Sequence, residues 1–189
     1  MRWCIYVVWV LFAMSACVEQ KSDAGTTPTV SMATDESAIR SVIHGFFRWY
    51  EKEASTLASF DFVDESGPYR KLEQSALQQY FNHLHSSGFI SQRLVEAEKK
   101  FYHNCEAFWK TERKEESPSC LSADRFYCAF DYIAPYYSGE VKSIIDGAEA
   151  VATLTLTGAM GEQRILVFNL IKENNQWLLS GLGCDMHSH

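Results

Sequence analysis

The chain has 189 residues, with 24 acidic and 17 basic side chains and a formal net charge of −7. That length suits one domain plus a leader, and a 47% hydrophobic content is enough for a packed core. The acidic balance argues against a nucleic-acid footprint or electrostatic adhesion to anionic headgroups, and reads first as a solubility device.

The reading begins at Met1. Arg2 supplies a short positive region, and Trp3 to Met14 (WCIYVVWVLFAM) is an unbroken apolar run. As a helix this run spans roughly 18 Å, short of the ~30 Å hydrocarbon core, so it reads as a signal h-region in residues 1–16. Met14-Ser15-Ala16-Cys17 resembles a bacterial lipobox, in which Cys17 is acylated and becomes the new N-terminus. The resemblance implies a lipid anchor on the periplasmic side of a membrane, with several acyl chains giving stable attachment. Val18 in place of aspartate after the cysteine favours the outer membrane. Without residues 1–16, which contain Arg2 and no acid, the chain holds 24 acids and 16 bases, a net −8.

Residues 17–33 are rich in Ser, Thr, Gly and Pro and are expected to form a lipidated flexible tether. A single α+β domain is then expected over 34–189. Cys105, Cys120, Cys128 and Cys184 remain after Cys4 and Cys17 are assigned, an even number that in an exported chain suggests two disulfides. Three pairings are open. The preferred one joins Cys105 to Cys120 across a charged local loop and Cys128 to Cys184 at the end of the chain.

The first expected helix starts at a Thr34 cap, with Asp35 and Glu36 at the positive end of its dipole. Ile39, Val42, Ile43, Phe46, Phe47 and Tyr50 form one apolar stripe. Ser55 to Tyr69 reads as irregular, broken by Gly67-Pro68. A second helix is expected over Lys71 to His85, burying Leu77, Tyr80, Phe81 and Leu84. A third starts at the Ser91 cap and is expected to bury Leu94, Phe101, Tyr102, Cys105, Phe108 and Trp109, with the charged run Lys110 to Ser117 as a solvated tip.

From Arg125 the period changes to two. Arg125 to Tyr132 reads as a strand, followed by Glu140–Ile145, Ala150–Thr157, Gln163–Lys172 and Gln176–Leu182. Short turn sequences between the last four predict an antiparallel meander. Helices followed by a meander give an α+β plan, with helices on one face of a curved sheet.

Trp49-Tyr50, the segment Ser86-Ser87-Gly88-Phe89-Ile90-Ser91, the Phe-x-Cys-Ala-x-Asp-Tyr run at Phe126 to Tyr132, and the terminal Trp177 strand together resemble the bacterial lipoproteins of domain of unknown function 3828. Those are similar to the nuclear-transport-factor-2-like cone, a curved sheet lined by helices. The resemblance covers about Glu36 to Leu182 and brings no catalytic residues with it. It implies a non-enzymatic envelope binding protein, in one version an immunity protein that neutralises a toxin delivered to the periplasm by a secretion system. The partner is then that toxin or another envelope protein.

Cones of this shape also host lyases and isomerases, so the alternative is a small-ligand or enzymatic cone. Its acid would be Asp131, flanked by Phe130 and Tyr132, with His44 beside the apolar stripe as the second choice. A purely structural envelope lipoprotein is the third reading. Tyr132, Tyr136 and Tyr137 around Pro135 are the expected contact loop, because exposed tyrosines supply rigid amphipathic surface. No metal and no cofactor are assigned. His83 and His85, like His103 and Cys105, are two apart and diverge on a helix; Asp185, His187 and His189 after Cys184 make a weak set at best.

Overall fold

The computed structural model describes residues 29–121, 123–129 and 134–183. Among these residues the chain forms α1 (Thr29–Ala58), a ribbon of β1 (Val63–Asp64) and β2 (Lys71–Leu72), α2 (Gln74–Ser86) and α3 (Gln92–Trp109). A single 3-10 turn (Tyr136–Ser138) then leads into β3 (Glu140–Asp146), β4 (Glu149–Thr157), β5 (Gln163–Glu173) and β6 (Gln176–Leu182). The class is α+β: three helices and a four-stranded antiparallel sheet in the order β3-β4-β5-β6.

The stripe of α1 is buried as its spacing requires. Ile39, Ile43, Phe46, Phe47 and Tyr50 are inside and Val42 is half-buried. The helix is longer at both ends than expected. It begins at Thr29, within the segment assigned to the tether, and continues through Ser55 to Ala58. Asp35 therefore lies inside the helix and not at its first turn. Its Oδ1 accepts from Lys172 Nζ at 2.6 Å and from Trp177 Nε1 at 2.9 Å, which pins α1 to β5 and β6.

α2 starts at Gln74 and not at Lys71. The Glu73 carboxylate caps it, accepting from the Ser75 and Ala76 amides, while Lys71 and Leu72 pair with Asp64 and Val63. α3 follows its Ser91 cap, whose Oγ accepts from the Leu94 amide. Two of its expected core positions differ. Phe108 is 57% exposed and Phe101 half-buried, whereas Val95 and Glu98 are inside.

The end of α3 is held covalently and by hydrogen bonds. Cys105 and Cys120 form a disulfide with Cα atoms 6.0 Å apart, and Trp109 Nε1 donates to Ser119 O at 2.9 Å. Buried Arg70 donates to the carbonyls of Arg113, Lys114 and Glu116, and Lys114 Nζ donates back to the carbonyls of Glu65 and Gly67. The charged run is thus a tied loop.

The strand expected over Arg125–Tyr132 is absent from its described part, where the chain turns. Asp124 Oδ1 accepts from the amides of Phe126 and Tyr127, both at 2.8 Å, Cys128 takes φ +52°, and an Asp124–Ala129 bridge closes the turn. A carboxylate that captures the next amides outcompetes a sheet ladder.

The four expected strands of the meander are present, β3 to β6, with a bulge in β6 opposite Asn169/Leu170. The inner face carries Ala152, Leu154, Leu156, Leu166, Phe168, Leu170, Trp177 and Leu179, all buried beneath the helices. The free edge of β6 is covered by the turn between α2 and α3: Leu179 N donates to Phe89 O and Ser91 N to Leu179 O, each at 2.9 Å.

Candidate interaction surface

The space between helices and sheet is filled by aromatic rings. Phe47 contacts Tyr127, Tyr136 and Phe168 with centroids 5.1–5.9 Å apart, and Phe126 packs on Phe46 and Tyr50 at 5.1 and 5.0 Å. Tyr136, expected on an exposed contact loop, is fully buried here. Its hydroxyl accepts from Arg164 and donates to Tyr127 O. Tyr137 is half-buried with the Arg48 guanidinium 5.4 Å from its ring centroid. His44 is half-buried, its Nε2 bonded to Gly139 O at 2.9 Å, which ties α1 to the start of β3. Cys17, Asp131, Tyr132, Cys184 and the histidines of the C-terminus lie outside the described residues. Cys128 is disulfide-bonded.

The densest polar cluster is internal. Tyr50 donates to Asp124 at 2.8 Å, and Arg125 makes a two-pronged pair with Glu98 at 2.7 and 2.9 Å while covering the Phe101 ring at 4.0 Å. Burial, first of all, pushes the hydroxyls of Tyr50, Tyr80 and Tyr102 well above the usual tyrosine range, with neighbouring carboxylates adding to it. Burial also pulls Arg125 down, but the Glu98 carboxylate outweighs it and the guanidinium is held further into its charged form. Such a set resembles acid–base machinery on paper. It is closed over by Phe46, Phe62, Phe101 and Phe126, and every buried side-chain nitrogen or oxygen among the described residues has a partner. Its chemistry is that of a lock.

The opposite face of the sheet is open. Ile144 (79% exposed), Val151 and Ile165 (62%) stand on it, with Val167, Ile171 and Leu178 half-buried beside them. The register lines them up across the strands as Ile144–Val151–Asn169, Lys142–Thr153–Val167, Glu140–Thr155–Ile165, and Glu149–Ile171–Leu178. β-Branched residues dominate, as suits a pleated surface. On the β6 side two glycines leave room for neighbouring side chains to lie over the backbone: a Cβ at Gly181 would come 2.9 Å from Asn169 Nδ2, and one at Gly183 would come 2.9 Å from Val167 Cβ. Charges stand at the rim, Glu140, Lys142, Asp146 and Glu149, the last paired with Arg93 at 3.2 Å. A depression of about 270 Å³ lies among Arg93, Ile144, Val151, Asn169 and Ser180. Exposed aliphatic residues interleaved with Thr153, Thr155 and Asn169 and edged with charge give the mixed surface of a protein-binding patch.

Sequence reasoning missed these residues, although a signal existed. A half-buried strand alternates strictly, but Ile165-Leu166-Val167-Phe168 and Ile144-Ile145 are apolar on both faces. Among the described residues, no three His, Cys, Asp or Glu side chains gather as a metal set, and no helix is long and apolar enough to cross a membrane. The chain matches no family profile, no curated protein and no solved structure.

Proposed function

We propose that this chain is a lipid-anchored, non-enzymatic binding protein of the bacterial envelope whose ligand is another protein. The observation that carries the proposal is the contrast between the two faces of the sheet. The inner face is packed solid with Phe47, Tyr136, Phe168 and Trp177, whereas the outer face exposes Ile144, Val151 and Ile165. A ligand-holding or lyase-like cone needs an acid facing a cavity, and the described interior offers aromatic rings where that cavity would be. The Cys17 lipobox supplies the anchor and compartment, and helices on one face of an antiparallel sheet accord with the nuclear-transport-factor-2-like cone and the domain of unknown function 3828 lipoproteins. In its specific form the proposal makes the chain an immunity protein for a toxin delivered to the periplasm.

The test searches the genes beside this one for a secreted toxin and exposes cells to its product. The parent chain is expected to protect them. Val151→Lys with Ile165→Lys is expected to abolish protection while leaving the thermal unfolding curve in place, since both positions are exposed. Cys17→Ser is expected to release the protein from membranes. Protection undiminished by the paired lysines would overturn the surface, and a Cys17→Ser protein still membrane-bound after a salt wash would overturn the anchor.

A further inference from the structure

We infer that strand β3 pairs antiparallel with β3 of a second copy of this chain, joining the two sheets across a two-fold axis at Ile144. The pairing takes Ile144 from the outer face described above and leaves Val151 and Ile165 on it for a partner protein. It starts from an inequality between the sheet's edges. β6 is covered by Phe89–Ser91, as described above. Among the described residues nothing pairs with the free edge of β3, which runs beside a cleft of about 330 Å³ bounded across the gap by Glu36 and Arg40 of α1. The strand has seven residues, no proline and no bulge, so it lacks two of the devices that usually disarm an edge.

The register fixes which backbone groups face that edge. Lys172 N donates to Ala148 O at 2.7 Å, so the even-numbered residues of β4 bond to β5 and the odd-numbered ones bond to β3. Opposite the odd-numbered residues stand Glu140, Lys142, Ile144 and Asp146, whose amides and carbonyls point into the sheet. Val141, Ser143 and Ile145 therefore point theirs outward, in the alternating order an antiparallel partner strand completes.

Side chains then choose among registers. An axis at Lys142 sets two ammonium groups opposite each other, and an axis at Ser143 sets Glu140 opposite Asp146. Both juxtapositions are repulsive. An axis at Ile144 sets Lys142 opposite Asp146 of the second copy, twice by symmetry, with the two Ile144 side chains meeting at the centre. That register pairs unlike charges and covers the most exposed apolar residue of the outer sheet face. Within one copy Lys142 pairs with Glu140 at 3.2 Å, both side chains mostly exposed, a contact weak enough to exchange.

The experiment places single cysteines in the full-length chain in its membrane and applies a mild oxidant. Residues facing each other at a non-hydrogen-bonded antiparallel site have Cα atoms about 4.5 Å apart, within disulfide reach. Ile144→Cys is expected to give a reducible covalent dimer, and Lys142→Cys and Ser143→Cys are expected to stay monomeric like the parent. Adding Lys142→Asp to Ile144→Cys should cut the dimer yield about tenfold, the ratio for about 1.4 kcal/mol, and Asp146→Lys on top should restore it. No cross-link at Ile144 would overturn the pairing. Cross-linking at Lys142 or Ser143 instead would overturn the register, and failure of the charge exchange to restore the yield would overturn the proposed ion pairs.

Discussion

Glu98→Gln is the sharpest probe of what holds the helical layer together. The Glu98 and Arg125 side chains are 6% and 12% exposed, and two charge-assisted bonds of 2.7 and 2.9 Å join them. Each bond of this kind contributes about 1.5–3 kcal/mol, and taking one partner from a buried pair costs about 3–5 kcal/mol because the other charge stays in a dry site. Glutamine keeps the shape and one acceptor, so the lower end, about 3 kcal/mol, is expected. For a domain of this size that lowers the melting temperature by about 6–12 °C. Urea unfolding followed by tryptophan fluorescence measures the loss. The double variant Glu98→Leu with Arg125→Met removes both charges and is expected to lie within about 1 kcal/mol of the parent. A Glu98→Gln loss below about 1 kcal/mol, or a double variant as damaged as the single one, would refute the argument that an uncompensated charge is what destabilises.

Two further outcomes follow from local geometry. Cys105→Ala with Cys120→Ala opens a loop of separation 15 and is expected to lower stability by about 3 kcal/mol in the same urea assay, with the tied Arg70 loop becoming protease-sensitive. On acidification, Asp35 and Asp64 are the groups to follow. The Lys172 and Trp177 hydrogen bonds hold Asp35 below the usual carboxylate range, and Ser66, foremost, with Lys71 brings Asp64 to about 2. Folded values below the unfolded one mean that their stabilisation is complete above about pH 3.9 and drains away as pH falls toward 2. Asp35→Asn should flatten that decline, and a slope equal to the parent's would dismiss Asp35 as a contributor.

Local signals carried most of the fold. The helical stripe of α1 and the four strands of the meander were readable because period, caps and turn residues all act within a few positions. The failures were long-range or depended on a single side chain. Asp35 looked like a helix-start acid, yet its partners lie 137 and 142 residues away. Asp124 turned an aromatic, strand-like run into a capped turn, a contest that hydrophobic period does not register. Tyr136 looked like loop surface because Pro135 marks a turn, but the sheet and α1 close over it. The exposed face escaped notice because an unbroken apolar run such as Ile165 to Phe168 reads equally well as a strand buried on both faces.

The Phe89–Ser91 cover on β6 also sets valency. A sheet open at both edges can add copies at either end without limit, and polymerisation is its natural fate. Here one edge is closed by the chain's own turn, so edge pairing through β3 stops at two copies and leaves no growing end. Removing the cover, for instance with Ser91→Pro, which deletes the amide that donates to Leu179 O, would convert a self-limiting contact into a chain-propagating one.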